Sequence, residues 1–290
     1  MEVFRTPDER FDALPDYPFE PHWLEVDGLR LHYLDEGAGN PVLLLHGEPT
    51  WSFLWRRLIP PLAAHARVVA PDLLGFGRSD KPTDSGWYTV DRHVAAIEQL
   101  VVQLGLERLT VVVHDWGGPI GFRLAVEHEA RVDQLVILDT GVGAGSAPSE
   151  TWLRFRAVVR EVAGGLDVGR LVAAGTAQGL ADDVRAAYDA PFPTPESKAG
   201  VLAFPDLVPT EPDHPSAAGM LRVREALGGW RKPALVVWGA EDTVLPARVA
   251  DRFVELIPGA HGPLLIEGAS HFLQEDRPRE LAAAILGIVT

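Results

Sequence analysis

The chain has 290 residues, no cysteine, and 26 basic against 41 acidic residues, for a formal net charge of -15. The length suits one large domain, or a domain with an insertion, and allows a sizeable core. Without cysteine there is no disulfide framework, thiolate zinc site or thiol nucleophile. A surface this acidic repels nucleic acid and anionic membranes, so phosphate-bearing partners are disfavoured.

The opening residues MEVFRTPDERFDALPDYPFE are charged and broken by prolines, unlike the apolar stretch of a signal peptide. No apolar run approaches the ~20 residues of a membrane span. The expectation is a soluble cytoplasmic protein, as a monomer or small homo-oligomer. LHYLDEG (31–37) alternates like a strand, and PVLLLHG (41–47) reads as a strand buried on both faces. ARVVAPDLLGFGRSD (66–80) is another buried strand running into a glycine-rich loop. TVDRHVAAIEQLVVQLG (89–105) has helical spacing and stops at a glycine. LTVVVHDWGG (109–118) predicts a strand and PIGFRLAVEHEA the helix after it. Three more strands are expected at 132–141, 233–242 and 262–272. Strands alternating with helices predict a mostly parallel sheet flanked by helices.

The alternation fails between about 146 and 220, where ETWLRFRAVVREV and ADDVRAAYDA are helical and APFPTPES and FPDLVPTEPDHP are proline-rich. This predicts a helical cap (146–220) inserted into a core domain of 1–145 and 221–290. It would lie over the carboxyl ends of the strands, where open parallel sheets bind ligands.

VVVHDWGG has the form of a nucleophile elbow, a strand feeding a tight turn into a helix, with Asp115 at the turn where many hydrolases carry serine. Alone, this aspartate reads equally well as a helix cap. Two partners come later in chain order: Asp242 in GAED after an apolar run, and His271 in GASHF. Nucleophile, acid, histidine is the order of the α/β-hydrolase triad. Asp139, in VILDTG after the preceding strand, is an alternative acid, and Asp242 is preferred for its polar loop just ahead of the histidine's strand. In HGEPTW the backbone N–H of Glu48 can pair with that of Trp116 as an oxyanion hole.

HGEPTWSFLWR, VVAPDLLGFGRSDKP, HDWGG, YDAPFP, AFPDLVP and ASHFLQED together resemble the haloalkane dehalogenases of the α/β-hydrolase superfamily, nearly end to end. The resemblance implies that Asp115 is the nucleophile, His271 the base and Asp242 the acid. It also implies that Trp116 binds the departing halide through its indole N–H, with a small apolar halogenated substrate and water as partners. It implies no cofactor and no metal.

The sequence departs from this pattern at two places. His114 precedes the nucleophile where this branch usually has glutamine; epoxide hydrolases often show histidine there. The family's second halide donor, a cap tryptophan, falls at Phe155, with Trp152 three residues earlier as a substitute. The alternative functions are an epoxide hydrolase with the same triad, for which Tyr188 is the only tyrosine in the insertion, and a non-catalytic small-ligand binder. A haloacid dehalogenase would be expected to carry arginine where Trp116 stands.

Overall fold

The computed structural model describes residues 1–143, 145 and 150–289. Residues 146–149, where the expected cap begins, lie outside the described residues. In chain order the strands are β1 (Val3–Phe4), β2 (His22–Val26), β3 (Leu29–Gly37), β4 (Pro41–Leu45), β5 (Arg67–Pro71), β6 (Lys81–Pro82), β7 (Leu109–His114), β8 (Val132–Leu138), β9 (Ala234–Gly239) and β10 (Ala260–Ile266). The main helices are α1 (Ile59–Ala63), α2 (Val90–Gln103), α3 (Gly117–Glu127), α4 (Glu150–Val162), α5 (Val168–Ala174), α6 (Asp182–Asp189), α7 (Ala199–Leu207), α8 (Ala217–Leu227), α9 (Arg248–Leu256), α10 (Leu273–Asp276) and α11 (Pro278–Val289).

Eight strands form one sheet in the order β10-β9-β8-β7-β4-β5-β3-β2. From β10 to β5 every pairing is parallel, and β3 and β2 close the other edge antiparallel. The short β1 and β6 pair separately. The central strands are continuous apolar runs because helices cover both faces: Leu43, Leu44, Val111, Val112, Val136 and Val236 are fully buried. In α2 the inward residues Val90, Val94, Ile97 and Val101 recur at helical spacing, and the Thr89 hydroxyl caps its start by accepting from the Arg92 N–H.

The sequence pattern extends the last strand to residue 272, but β10 ends at Ile266. Gly268, at φ +68°, turns the chain, and the Asp276 carboxylate takes the Ser270 N–H, so His271 stands in a loop beyond the strand. Between β8 and β9 the described chain forms helices and no strand, as its sequence pattern predicts. Of these helices, α8 packs on α3, and α5 packs on α6.

Candidate active site

The carboxyl ends of β4, β7, β8, β9 and β10 bring the site together. At the end of β7 the chain turns sharply into α3, and Asp115 takes φ +48°, a left-handed conformation uncommon for a residue with a side chain. The surroundings hold it there. Its N–H donates to the Asp139 carbonyl (3.2 Å), and its own carbonyl accepts from the Gly118 N–H (2.9 Å) and the Thr140 hydroxyl (2.5 Å). Gly117 is required because a Cβ there would run into the Leu45 carbonyl of β4.

The loop after β4 approaches Asp115 from the other side. His46 Nδ1 donates to the Gly47 carbonyl (2.9 Å) and Nε2 accepts from the Leu73 N–H (2.9 Å), which fixes both the loop and the tautomer. Gly47 has no room for a side chain, since a Cβ would overlap the Asp115 carboxylate. The Glu48 N–H then reaches Asp115 Oδ1 at 2.8 Å, and the Trp116 N–H also bonds the carboxylate. Two backbone donors therefore converge on Asp115.

His271 faces Asp115 from the loop after β10, with Nε2 3.6 Å from Oδ2, an ion-pair separation. Its Nδ1–H donates to Asp242 Oδ2 at 2.9 Å. Asp242 Oδ1 is fixed by the N–H groups of Val244 (2.7 Å) and Leu245 (2.9 Å). Burial alone would lower the His271 pKa, but the Asp242 carboxylate and the neighbouring Asp115 outweigh it and raise it well above the ordinary histidine value. Burial would raise Asp115 and Asp242; the charge on His271 and the backbone donors hold both below the usual carboxylate value.

Asp139 does not bond His271. Its carboxyl accepts from the Gly239 N–H (3.0 and 3.3 Å) and hydrogen-bonds Asp242. Phe155 and Trp152, on α4, line the same cavity of about 250 Å³ as Glu48, Asp115, Trp116 and His271, and Leu171, Pro205 and Phe272 make its wall largely apolar. Arg156 lies over the Trp152 ring at 4.8 Å. Tyr188 is turned away from this cavity, donating to Glu275 Oε1 at 2.5 Å.

Four contacts were not foreseen from the sequence. His114 is buried, and its Nε2 donates to the His271 carbonyl at 2.8 Å. Burial and the charge on His271 push its pKa down to about 4, so it is neutral. The other three are the Thr140 bond to Asp115, the Asp139–Asp242 bond, and the state of the Glu48 carboxyl. That carboxyl is buried, with Oε1 unpartnered, and burial and the Asp115 charge raise it well above the carboxylate range. A polar residue closing a run of buried valines, as His114 does, was the available clue to the first.

Asp139, Asp242 and His271 each present one potential ligand atom, all within 4.8 Å of one another. These groups already bond each other and the backbone, and that hydrogen-bonding accounts for their grouping without an ion.

A mostly parallel sheet with an acidic elbow, and with a histidine–carboxylate pair arriving from later strands, defines an enzyme of the α/β-hydrolase class. The sequence accordingly matches the family described as alpha/beta hydrolase fold over residues 40–278. Within that class the chain belongs to the haloalkane dehalogenases. It is 46% identical to a haloalkane dehalogenase of Mycobacterium marinum, over 99% of each chain, and 47% identical to haloalkane dehalogenase 1 of Mycobacterium bovis, over 99% of this chain and 98% of that one. Its structure is similar to that of the haloalkane dehalogenase DpaA from Paraglaciecola agarilytica NO2, described as tetrameric, with a TM-score of 0.94, 35% identity, and coverage of 99% of this chain and 98% of that one.

Proposed function

We propose that the protein hydrolyses haloalkanes to alcohol and halide through a covalent ester on Asp115. The observation that carries this reading is the division of labour between the two Asp115 oxygens. Oδ1 takes the backbone donor of Glu48, while Oδ2 faces His271 inside an apolar cavity.

In the first step Asp115 Oδ2 forms a bond to the sp3 carbon, and the carbon–halogen bond breaks with its electron pair leaving on the halide. The Trp116 indole N–H, on the cavity wall, stabilises charge that grows on the departing atom, and so helps the transition state more than the ground state. Trp152 is the proposed second donor, with Phe155 contributing shape and apolar surface. In the second step His271 Nε2 takes a proton from water, and the hydroxide attacks the ester carbonyl. Negative charge on Oδ1 is met by the N–H groups of Glu48 and Trp116. Collapse expels the alkoxide, which takes the proton back from His271. Asp242 steadies the imidazolium through Nδ1. One haloalkane and one water thus give one alcohol, one halide and one proton. A serine at this turn would form an ether, with no carbonyl for water to attack.

We assign residues 146–220 to a cap over the site and the remainder to the core. An epoxide hydrolase would need a proton donor for the opening ring, and the one tyrosine of this segment is committed to Glu275. The test is halide release from a panel of small bromo- and chloroalkanes beside a panel of epoxides. Halide release without epoxide opening is expected. Epoxide opening with no halide released would overturn the assignment.

A further inference from the structure

Asp139 is a third carboxyl at a site whose chemistry uses two. Its place in the fold is unusual. Through the backbone it belongs to the nucleophile, because its carbonyl takes the Asp115 N–H and its neighbour Thr140 bonds the Asp115 carbonyl. Through the side chain it belongs to the acid, because it holds the Gly239 N–H at the end of β9, three residues before Asp242, and hydrogen-bonds Asp242 itself. Residue 139 also adopts φ +31°, a left-handed turn that aims the side chain across the strand ends.

The side chain is completely buried. The titratable groups around it are Asp242 from the loop after β9, His271 from the loop after β10, and His114 and Asp115 from the end of β7. His271 is the one cation among them, and its Nδ1–H is given to Asp242. Asp242 already accepts from two backbone N–H groups as well. Two carboxyl groups in hydrogen-bond contact in a dry site cannot both ionise. The better-solvated charge belongs to Asp242, so the proton belongs to Asp139, whose raised carboxyl agrees.

We propose that Asp139 is a positioning residue that keeps its proton and donates it to Asp242, locking the acid in register with the nucleophile elbow. The proposal rests on the reading of Asp242 and His271 as the acid–base pair. The donated hydrogen bond spreads the charge of Asp242 and weakens its grip on the imidazolium proton. His271 is therefore released as a base at a lower pH than an unbraced pair would allow. Asparagine can replace this device: its amide N–H can serve Asp242 and its carbonyl can accept from Gly239. An apolar residue can do neither.

The test compares native protein, D139N and D139L. In protein carrying 13C-labelled aspartate carboxyls, one buried carboxyl is expected to stay protonated from about pH 5 to about pH 8, well above the ordinary aspartate range. Its resonance should vanish in D139N. The acid limb of kcat, on a substrate whose ester hydrolysis limits turnover, should move up by about one pH unit in D139L and stay within a few tenths of the native value in D139N. If D139L fails to fold, the carbon resonance decides. A fully ionised Asp139, or a D139N limb displaced as far as that of D139L, overturns the proposal. If the native enzyme releases no halide, the dehalogenase reading falls, and the resonance still shows where the proton is.

Discussion

His271 sits between two carboxylates, and this sets its behaviour through the cycle. In the resting protein Asp242 and Asp115 both favour the imidazolium, which cannot take a proton from water. In the proposed cycle, alkylation would turn Asp115 into a neutral ester and remove one of those charges. The base is thereby freed at the step that needs it. Ester hydrolysis is then lost as pH falls through the His271 pKa of the ester form, which lies below that of the free protein. The acid limb of kcat, on a substrate whose ester hydrolysis limits turnover, should therefore lie below the His271 pKa measured by NMR on the free protein, and the reverse order would contradict the scheme. Replacing His271 with phenylalanine leaves the first displacement possible and stops the second. A burst of about one halide per protein is expected, with the alkyl mass found on the peptide containing Asp115. An adduct elsewhere would remove Asp115 from its role. Asp242→Asn should lower turnover by about 10³- to 10⁴-fold, as loss of the orienting acid does in comparable triads, and far more than Asp139→Asn.

At the scale of elements, the loop bearing His271 is anchored by the short helix α10 on its carboxyl side. Glu275 on α10, four residues on, is buried and accepts a bidentate pair from Arg56 (2.5 and 2.9 Å) and the Tyr188 hydroxyl of α6. Arg56 also lies over the Phe53 ring at 4.0 Å. Asp276 takes the N–H groups of Ala177 and Ser270, tying the segment after α5 to the same loop. A charge network thus joins the helical segment between β8 and β9 to the histidine. Arg56→Met removes the buried bidentate partner of Glu275 and leaves it only the longer ion pair with Arg57 (3.7 Å), so denaturant unfolding should show a loss of about 3 kcal/mol. Tyr188→Phe removes one charge-assisted hydrogen bond and should cost about 1–3 kcal/mol. An Arg56→Met protein as stable as the native would show that the pair contributes nothing.

Among the described residues most of the buried apolar side chains form one cluster. Tyr188, Phe192, Val201 and Phe204, from the segment proposed as the cap, join Leu44, Val112 and Trp238 of the sheet without a break. Shared burial couples the stability of the two parts. Urea unfolding followed by tryptophan fluorescence and by far-UV circular dichroism should give coincident transitions. A separate early transition in one signal would show that the cap unfolds alone. Among the described residues no helix is long and apolar enough to cross a membrane.

The centre of the parallel sheet was legible in the sequence because β4, β5, β7, β8 and β9 are largely buried and read as nearly unbroken apolar runs. The edge strand β2, with only Val26 buried, carries a weaker pattern and was not legible in that way. Asp115 and Asp242 were legible because each comes after such a run; His271 follows the largely exposed edge strand β10 and was legible from its place after both, in an order that the α/β-hydrolase topology makes meaningful. Glu48 and Trp116 could be placed from their positions beside the turn.

What the sequence by itself determined is therefore the sheet, the elbow and the identity of the groups that meet at its end, all written in local pattern and order. Only the tertiary structure decided which carboxylate takes His271 and which braces the other. Asp139 and Asp242 lie 103 residues apart, just beyond neighbouring strands, and a few ångströms of side-chain placement separate their roles. The same holds for the neutral His114 and for the raised carboxyl of Glu48. Their protonation depends on burial and on charges brought in from distant strands, and no local pattern encodes those.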